Sequence, residues 1–324
     1  ATLPYAHDFM HTILLGNVFS HMYFGMNAVL RAASKPKKAM CATIFTVVMN
    51  ILLDVVFIRW WHWGIKGAAL ATIISQALAL CWQMTLFANK NELLHLKRGI
   101  YKLKANLVKN IISIGISPFL MNACACVIVI FINNQLVRFG GDMSVGAYSI
   151  GNSIAMIFVM SVIGLNQGMQ PIAGYNYGAQ QYERMMRVVK LSIITATCIM
   201  LTGWSLAMFV PYHCVRLFTT NPELIKRSIN ALHIIMMMFP LIGCQMVITN
   251  FFQCIGKVKI SIFLSLSRQL LFLLPLLILL PNFYEINGVW ASMPTSDFIA
   301  VVVAIITMTV YLRRFKKDMQ SKNS

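Results

Sequence analysis

Nine long apolar runs, separated by short connections that hold most of the charge, constrain this 324-residue chain more than any other feature. They lie at about Tyr5–Leu30, Met40–Ile58, Gly64–Ala88, Leu107–Val137, Val145–Ile172, Val188–Val210, Leu224–Cys254, Ile260–Leu280 and Ile286–Leu312. Crossing the roughly 30 Å of bilayer hydrocarbon takes about 20 helical residues, and each run is about that long or longer. A lone segment satisfies its own backbone groups in lipid only as a helix. The expected fold class is therefore an all-α polytopic membrane protein with nine transmembrane helices. The chain is 58% hydrophobic and 11% charged, against about 25% charged residues in soluble domains.

The formal net charge is +18, a value that would suit nucleic acid if it formed one patch. Instead, 20 of the 27 Lys and Arg fall on alternate connections and the C-terminal stretch, six fall on the other connections, and Arg268 lies inside a run. That asymmetry is a topology signal and a bilayer contact. It places the C-terminus in the cytoplasm, the N-terminus on the opposite face, and leaves no nucleic-acid partner. Trp60, Trp61 and Trp63 beside Arg59 fit an interfacial aromatic belt. The polar stretch 89–106 reads as a cytoplasmic linker between a partial lobe, 1–88, and a six-helix lobe, 107–312, with a basic tail at 313–324. Seven of the eight cysteines sit in apolar runs without a CxxC pair and are expected as small core residues. The opening Ala-Thr-Leu-Pro, with no initiator Met and no signal peptide, reads as the interior of a longer protein.

An internal repeat supports that reading. Leu30-Arg31-Ala32-Ala33-Ser34-Lys35-Pro36-Lys37 matches Phe252-Gln253-Cys254-Ile255-Gly256-Lys257-Val258-Lys259 at an offset of 222. Ile65-Lys66-Gly67 matches Ile286-Asn287-Gly288 at 221, which sets Ser75 against Ser296, Ala79 against Ala300 and Gln76 against Asp297. Order and spacing hold across three runs in each half, as in transporters built from repeats. The implied parent has two six-helix bundles.

Residues 168–179, Gly-Met-Gln-Pro-Ile-Ala-Gly-Tyr-Asn-Tyr-Gly-Ala, followed by Tyr182 and Arg187, resemble a signature of multidrug and toxic compound extrusion (MATE) transporters. So do Asn50-Ile51-Leu52-Leu53-Asp54 with Trp63-Gly64-Ile65-Lys66-Gly67-Ala68-Ala69-Leu70-Ala71-Thr72, and Leu30-Arg31-Ala32 with Pro36. The resemblance spans essentially the whole chain. It implies a fold of twelve helices in two pseudo-symmetric lobes around a central cavity, of which this chain resembles helices four to twelve, without the first three. The run Pro118–Gln135 has no acid, which points to the DinF-like or MepA-like branch.

Asn50 and Asp54 are four residues apart and share one helical face, where an ionised carboxylate costs roughly 2.5–3.5 kcal/mol to insert. By resemblance, Asp54, Asn50, Thr72 and Asn27 form an ion-coupling site, and Asp54, Asn50 and Thr72 offer oxygen ligands suited to sodium or a proton relay. The competing reading is a set of helix–helix hydrogen bonds. Asp297 follows Pro294, which is expected to break or kink its helix, and is a candidate for substrate binding or gating. Its alternative is a span-end acid satisfied by Thr295 and Ser296. Gln170 with Pro171 reads either as part of the cavity or as a proline-induced stop with a tight Gly174/Gly178 turn. Asn133, Asn134 and Gln135 line a cavity or meet the interface. His7-Asp8-x-x-His11 has metal-like spacing but fits an interfacial polar face better. Arg268 could bind an anion, snorkel or balance Asp297.

The resemblance implies a secondary active antiporter that exports cationic amphipathic compounds in exchange for protons or sodium. It needs no cofactor, acts as a monomer on small organic cations, and resides as a multi-pass protein in a bacterial inner membrane. The alternatives are a flippase for lipid-linked oligosaccharide and a truncated membrane protein without transport. An enzyme is disfavoured: no HExxH, catalytic-triad spacing or phosphate loop occurs.

Overall fold

The fold comes from a computed structural model, which describes residues 3–88 and 104–323. Most of the expected linker, 89–106, lies outside the described residues. The chain divides into two compact units, Ala1–Lys104 and Ala105–Ser324.

The first unit holds three helices. These are α1 (Leu3–Ala32), α2 (Pro36–Asp54), which continues into a π-helical turn at Val55–Trp60, and α3 (Gly64–Ala88). The contacts between them centre on Tyr23, Ala42, Ala79 and Leu80, and on Leu30, Ala39 and Phe87. Alanines at the crossing let helices approach closely, which in lipid supplies the packing energy that water exclusion cannot.

The second unit opens with α4 (Ala105–Gly178), whose 74 residues would extend about 110 Å as one rod. Gly141, with φ 68° and ψ −176°, is non-helical and divides it into arms 105–140 and 142–178. Then come α5 (Tyr182–Phe209), the short α6 (Pro211–Arg216), α7 (Pro222–Ile235) and α8 (Phe239–Cys254). Asn221 caps α7, its side-chain oxygen accepting from the backbone N–H of Glu223 and Leu224. Next, α9 (Val258–Leu266) passes through a π-helical turn, Ser267–Leu273, into α10 (Leu274–Asn323), which Glu285 divides into arms 274–284 and 286–323.

Six helices are long and apolar enough to cross a membrane, and the pair α7/α8, bent by 51°, makes a seventh. Two of the seven are interrupted by a non-helical residue at a kink, Gly141 in one and Glu285 in the other. Among the described residues this is a polytopic, all-helical membrane architecture, as the hydropathy pattern predicts.

The basic connections share one device. Ser34, Gln180 and Gly256 have φ of 60°, 57° and 75°. In each turn the next N–H reaches back five residues: Lys35 to Leu30, Gln181 to Asn176 and Lys257 to Phe252, at 3.0, 2.9 and 2.9 Å. This is the Schellman closure, which satisfies carbonyls orphaned at a helix end. Ser34 and Gly256 are 222 apart, and Gly64 (φ 55°) and Glu285 (φ 48°) are 221 apart. The sequence repeat is thus also a repeat of backbone conformation. Glu285 is the strained member, because its φ 48°, ψ −130° is glycine territory. Relief of about 1–3 kcal/mol of strain outweighs the 0.5–1 kcal/mol entropic cost of glycine. Glu285→Gly is therefore expected to stabilise the protein by about 1 kcal/mol, read as a raised thermal midpoint in detergent.

Several local expectations are corrected. Pro171 does not end its helix, which continues to Gly178; the turn follows at Ala179–Gln181, and Gly174 packs beside the Cys254 carbonyl. Pro294 lies inside the second arm of α10, whose non-helical residue is Glu285 instead. The run Leu224–Cys254 is not one helix but breaks at Met236–Met238, with Pro240 in the first turn of α8, where a missing N–H costs nothing. No cysteine is buried: Cys41, Cys81, Cys126 and Cys198 are exposed, and the other four are half-buried.

Candidate functional site

In the first unit, α2 carries Asn50 and Asp54 one turn apart. Asn50 donates through Nδ2 to Thr72 Oγ1 of α3 at 3.4 Å, and Thr72 donates to the Ala68 carbonyl at 3.0 Å. Asn50 is thereby oriented with its carbonyl oxygen left as an acceptor. The Asp54 Oδ1 is buried and finds no hydrogen-bond partner among the described residues. An unpaired carboxylate oxygen in such surroundings costs about 1–3 kcal/mol or more. Directly after Asp54 the helix widens into the π-helical turn, a feature frequent at functional sites. Phe57, Trp61 and Trp63 stack against one another there, with ring centroids 4.8–5.4 Å apart, and anchor the end of α2. Acceptor oxygens of Asp54 and Asn50 on one face can hold a proton or a hard monovalent cation.

Asn27 does not join them. Its amide donates to the Ala39 carbonyl and Thr43 Oγ1, both at 3.2 Å, and its oxygen accepts from Arg31 at 2.7 Å. Ala39 lies about 22 Å from Asp54 along α2 at 1.5 Å per residue. Asn27 fastens α1 to α2 near the basic turn. Thr72→Ala removes only a long hydrogen bond, worth at most about 1 kcal/mol. On the antiport reading that the family resemblance implies, the expected loss of ion-driven efflux is a few-fold at most, measured as its rate.

In the second unit, Arg268 Nη1 and Asp297 Oδ1 form an ion pair at 3.1 Å between the π-helical turn and the second arm of α10. Of the readings open for Arg268, this selects the counter-charge to Asp297. Thr295 and Ser296 do not satisfy the acid; their hydroxyls donate to the Ala291 and Met293 carbonyls. Gln170 donates to Asn250 Oδ1 of α8 at 2.7 Å, and Asn250 donates to the Met246 carbonyl at 2.9 Å. Asn250 escaped the sequence reading, although a polar residue inside an apolar run is the same signal that marks Asn50. Asn133 is half-buried and Asn134 exposed, while the neighbouring Gln135 holds a buried oxygen with no hydrogen-bond partner among the described residues. His7 and His11 stack with centroids 6.2 Å apart, and Asp8 pairs with Lys66 of α3 at 3.2 Å. No group of three or more potential ligands for a metal forms among the described residues.

The MatE family model matches residues 113–279, just over half of the sequence. The chain belongs to the MatE family. Relatives within it include the multidrug export protein MepA of Staphylococcus haemolyticus, 25% identical over 320 residues, covering 99% of this chain and 70% of the relative. MepA of Staphylococcus aureus (strain NCTC 8325 / PS 47) is 24% identical over 313 residues, covering 97% and 68%. Among solved structures, the MATE multidrug transporter DinF-BH is 35% identical with a TM-score of 0.86, covering 95% of this chain and 69% of that one. An outward-facing MATE transporter of the MOP superfamily, 21% identical with a TM-score of 0.88 over 96% and 70%, shares the fold. The expected kinship with MepA-like and DinF-like members holds, and the protein is a multi-pass membrane protein of a transporter family. The MatE match falls entirely within the second unit, whereas both MepA relatives extend over nearly the whole chain.

Proposed function

We propose that this MatE-family protein is a secondary active antiporter that exports cationic amphipathic compounds in exchange for protons or sodium. The observation that carries the reading is the buried, unpartnered Oδ1 of Asp54 one turn from the Asn50–Thr72 hydrogen bond. A carboxylate kept in that condition is expensive unless a proton or cation occupies it during the working cycle. Relatives described as multidrug export proteins support the choice of cargo. Occupation of Asp54 by the coupling ion, with oxygens from Asn50 and Thr72 close by, shifts the balance between inward- and outward-facing states. The ion can do so only by as much as it prefers one state over the other. In this reading the basic turns at Ser34, Gln180 and Gly256 face the cytoplasm, as does the end of α10.

The test is uptake of a fluorescent organic cation into vesicles containing the full chain, with either a pH gradient or a sodium gradient imposed. One gradient is expected to drive accumulation above equilibrium and the other to have no effect. Equilibration alone under both gradients rules out ion-coupled antiport.

A further inference from the structure

We propose that Arg268 is a tethered stand-in for the cargo. In one state of the protein it occupies Asp297, and an organic cation displaces it to bind there. The proposal rests on the cation-export reading and adds a cargo site in the second unit.

Three observations carry it. The first is depth. Along their helices, Arg268 lies about 15 Å from Val258, and Asp297 about 17 Å from the residue after Glu285, so both charges sit far from either end. The second is exposure. Arg268 is 34% exposed and Asp297 13%. A charge at that depth faces water or the bundle interior rather than hydrocarbon, and the third of the Arg268 side chain left open is the side from which a cation can approach the pair. The third is how the pair is held. It meets through one nitrogen and one oxygen, not as the two-pronged fork that gives Arg–carboxylate pairs their rigidity. The hydroxyls nearest Asp297 in sequence are turned onto their own helix: Ser292, Thr295 and Ser296 donate to the Gly288, Ala291 and Met293 carbonyls. The counter-charge of Asp297 is thus a long side chain on another segment. That segment is the π-helical turn Ser267–Leu273, where the next residue, Gln269, keeps a buried oxygen without a partner among the described residues. Regular helical packing does not lock Arg268 in place.

Such a pair suits a transporter. Cargo that carries one positive charge replaces the guanidinium without changing the net charge of the site. Arg268 swings toward its open side, and its return expels the cargo. An internal competitor lowers affinity by the fraction of time the acid is free, which is how a site can bind and still release.

The ligand class is a compact or delocalised organic monocation. Tetraphenylphosphonium is a suitable probe because its charge is permanent. Its equilibrium binding is measured on the full chain in vesicles, alongside the thermal midpoint of each variant. Arg268→Gln is expected to tighten binding about tenfold, as for an acid free about a tenth of the time, and to slow release. Asp297→Asn and the double variant R268Q/D297N are expected to weaken it by about tenfold or more. If Arg268→Gln does not reconstitute, Arg268→Lys serves instead. Its strongly hydrated ammonium competes less well, and a tightening of about threefold is expected. A dissociation constant within twofold of the parent in the Arg268 variant overturns the proposal while leaving cation export standing. So does a drop in thermal midpoint without a change in binding. Absence of binding by the parent and every variant overturns the cation reading, and this inference with it.

Discussion

Asp54→Asn is expected to abolish ion-driven efflux while making the protein more stable. The substitution keeps the volume of the side chain and its place on α2, but removes the charge and supplies an amide donor. Loss of the coupling group should reduce gradient-driven transport of a fluorescent cation by more than about tenfold, the scale on which a supporting ligand matters in an ion site. Stability should move the other way. The Asp54 Oδ1 is buried without a hydrogen-bond partner among the described residues, and exchanging the charge for a neutral amide relieves part of its desolvation, about 1 kcal/mol. The two readouts together separate function from structure. An acid that served only to glue helices would lose stability and activity in parallel. Efflux within twofold of the parent would remove Asp54 from the mechanism. Asn50→Ala should fall between Asp54→Asn and Thr72→Ala, because Asn50 holds the bridge to α3 and also presents an acceptor oxygen.

Much of this architecture is legible from hydropathy and the repeat, because a membrane leaves a chain few choices. Apolar runs of about 20 residues must be helices, and short connections force neighbours to be antiparallel. The repeat goes further, since the pairs Ser34/Gly256 and Gly64/Glu285 share left-handed backbone as well as position. At the third such turn Gly178 marks the place, but Gln180, two residues on, takes the left-handed conformation, so glycine locates the turn without identifying the residue that makes it. Proline misleads in the same way. Pro171 and Pro294 stay within helices, while Pro240, just past the break in α7/α8, occupies a first turn where proline belongs. The candidate site is harder to read. Helical spacing tells which residues share a face but not which helices meet at which depth. Asn50 therefore finds Thr72 as expected, whereas Asn27 meets Ala39 and Thr43 near the opposite end of α2. Arg268 and Asp297 are 29 residues apart, and only the pairing of two segments brings them within 3.1 Å.

Gly288→Ala is expected to be the most damaging single-methyl change in the second unit. Gly288 lies in the first turn of the second arm of α10, three residues after the Glu285 break. A Cβ there would run into the Leu280 carbonyl group and lie 2.7 Å from the Pro281 nitrogen. These are backbone atoms of the preceding arm, which cannot rotate aside as a side chain would. Its counterpart in the repeat, Gly67, also begins a helix against the end of the one before. There the nearest atoms are the Phe57 Cβ at 3.0 Å, the Trp63 Cβ at 3.2 Å and the Phe57 carbonyl carbon at 3.3 Å, so the neighbours need give only slightly. Overpacking costs about 1–3 kcal/mol where the structure can adjust. Gly288→Ala should reach the upper end of that range or exceed it, and Gly67→Ala the lower end. At roughly 2–4 °C per kcal/mol for a unit of this size, the thermal midpoint should fall by about 6–12 °C for Gly288→Ala and by a few degrees for Gly67→Ala. The arm that Gly288 begins also carries Asp297 about 13 Å further along. Because the clash is with backbone, the arm rather than a side chain must move, carrying Asp297 away from Arg268. At temperatures where Gly288→Ala is still folded, binding of tetraphenylphosphonium should therefore differ from the parent, while Gly67→Ala leaves it unchanged. Equal midpoints for the two glycine variants would show that the preceding arm yields freely and that the close approach at Leu280–Pro281 does not fix the second arm.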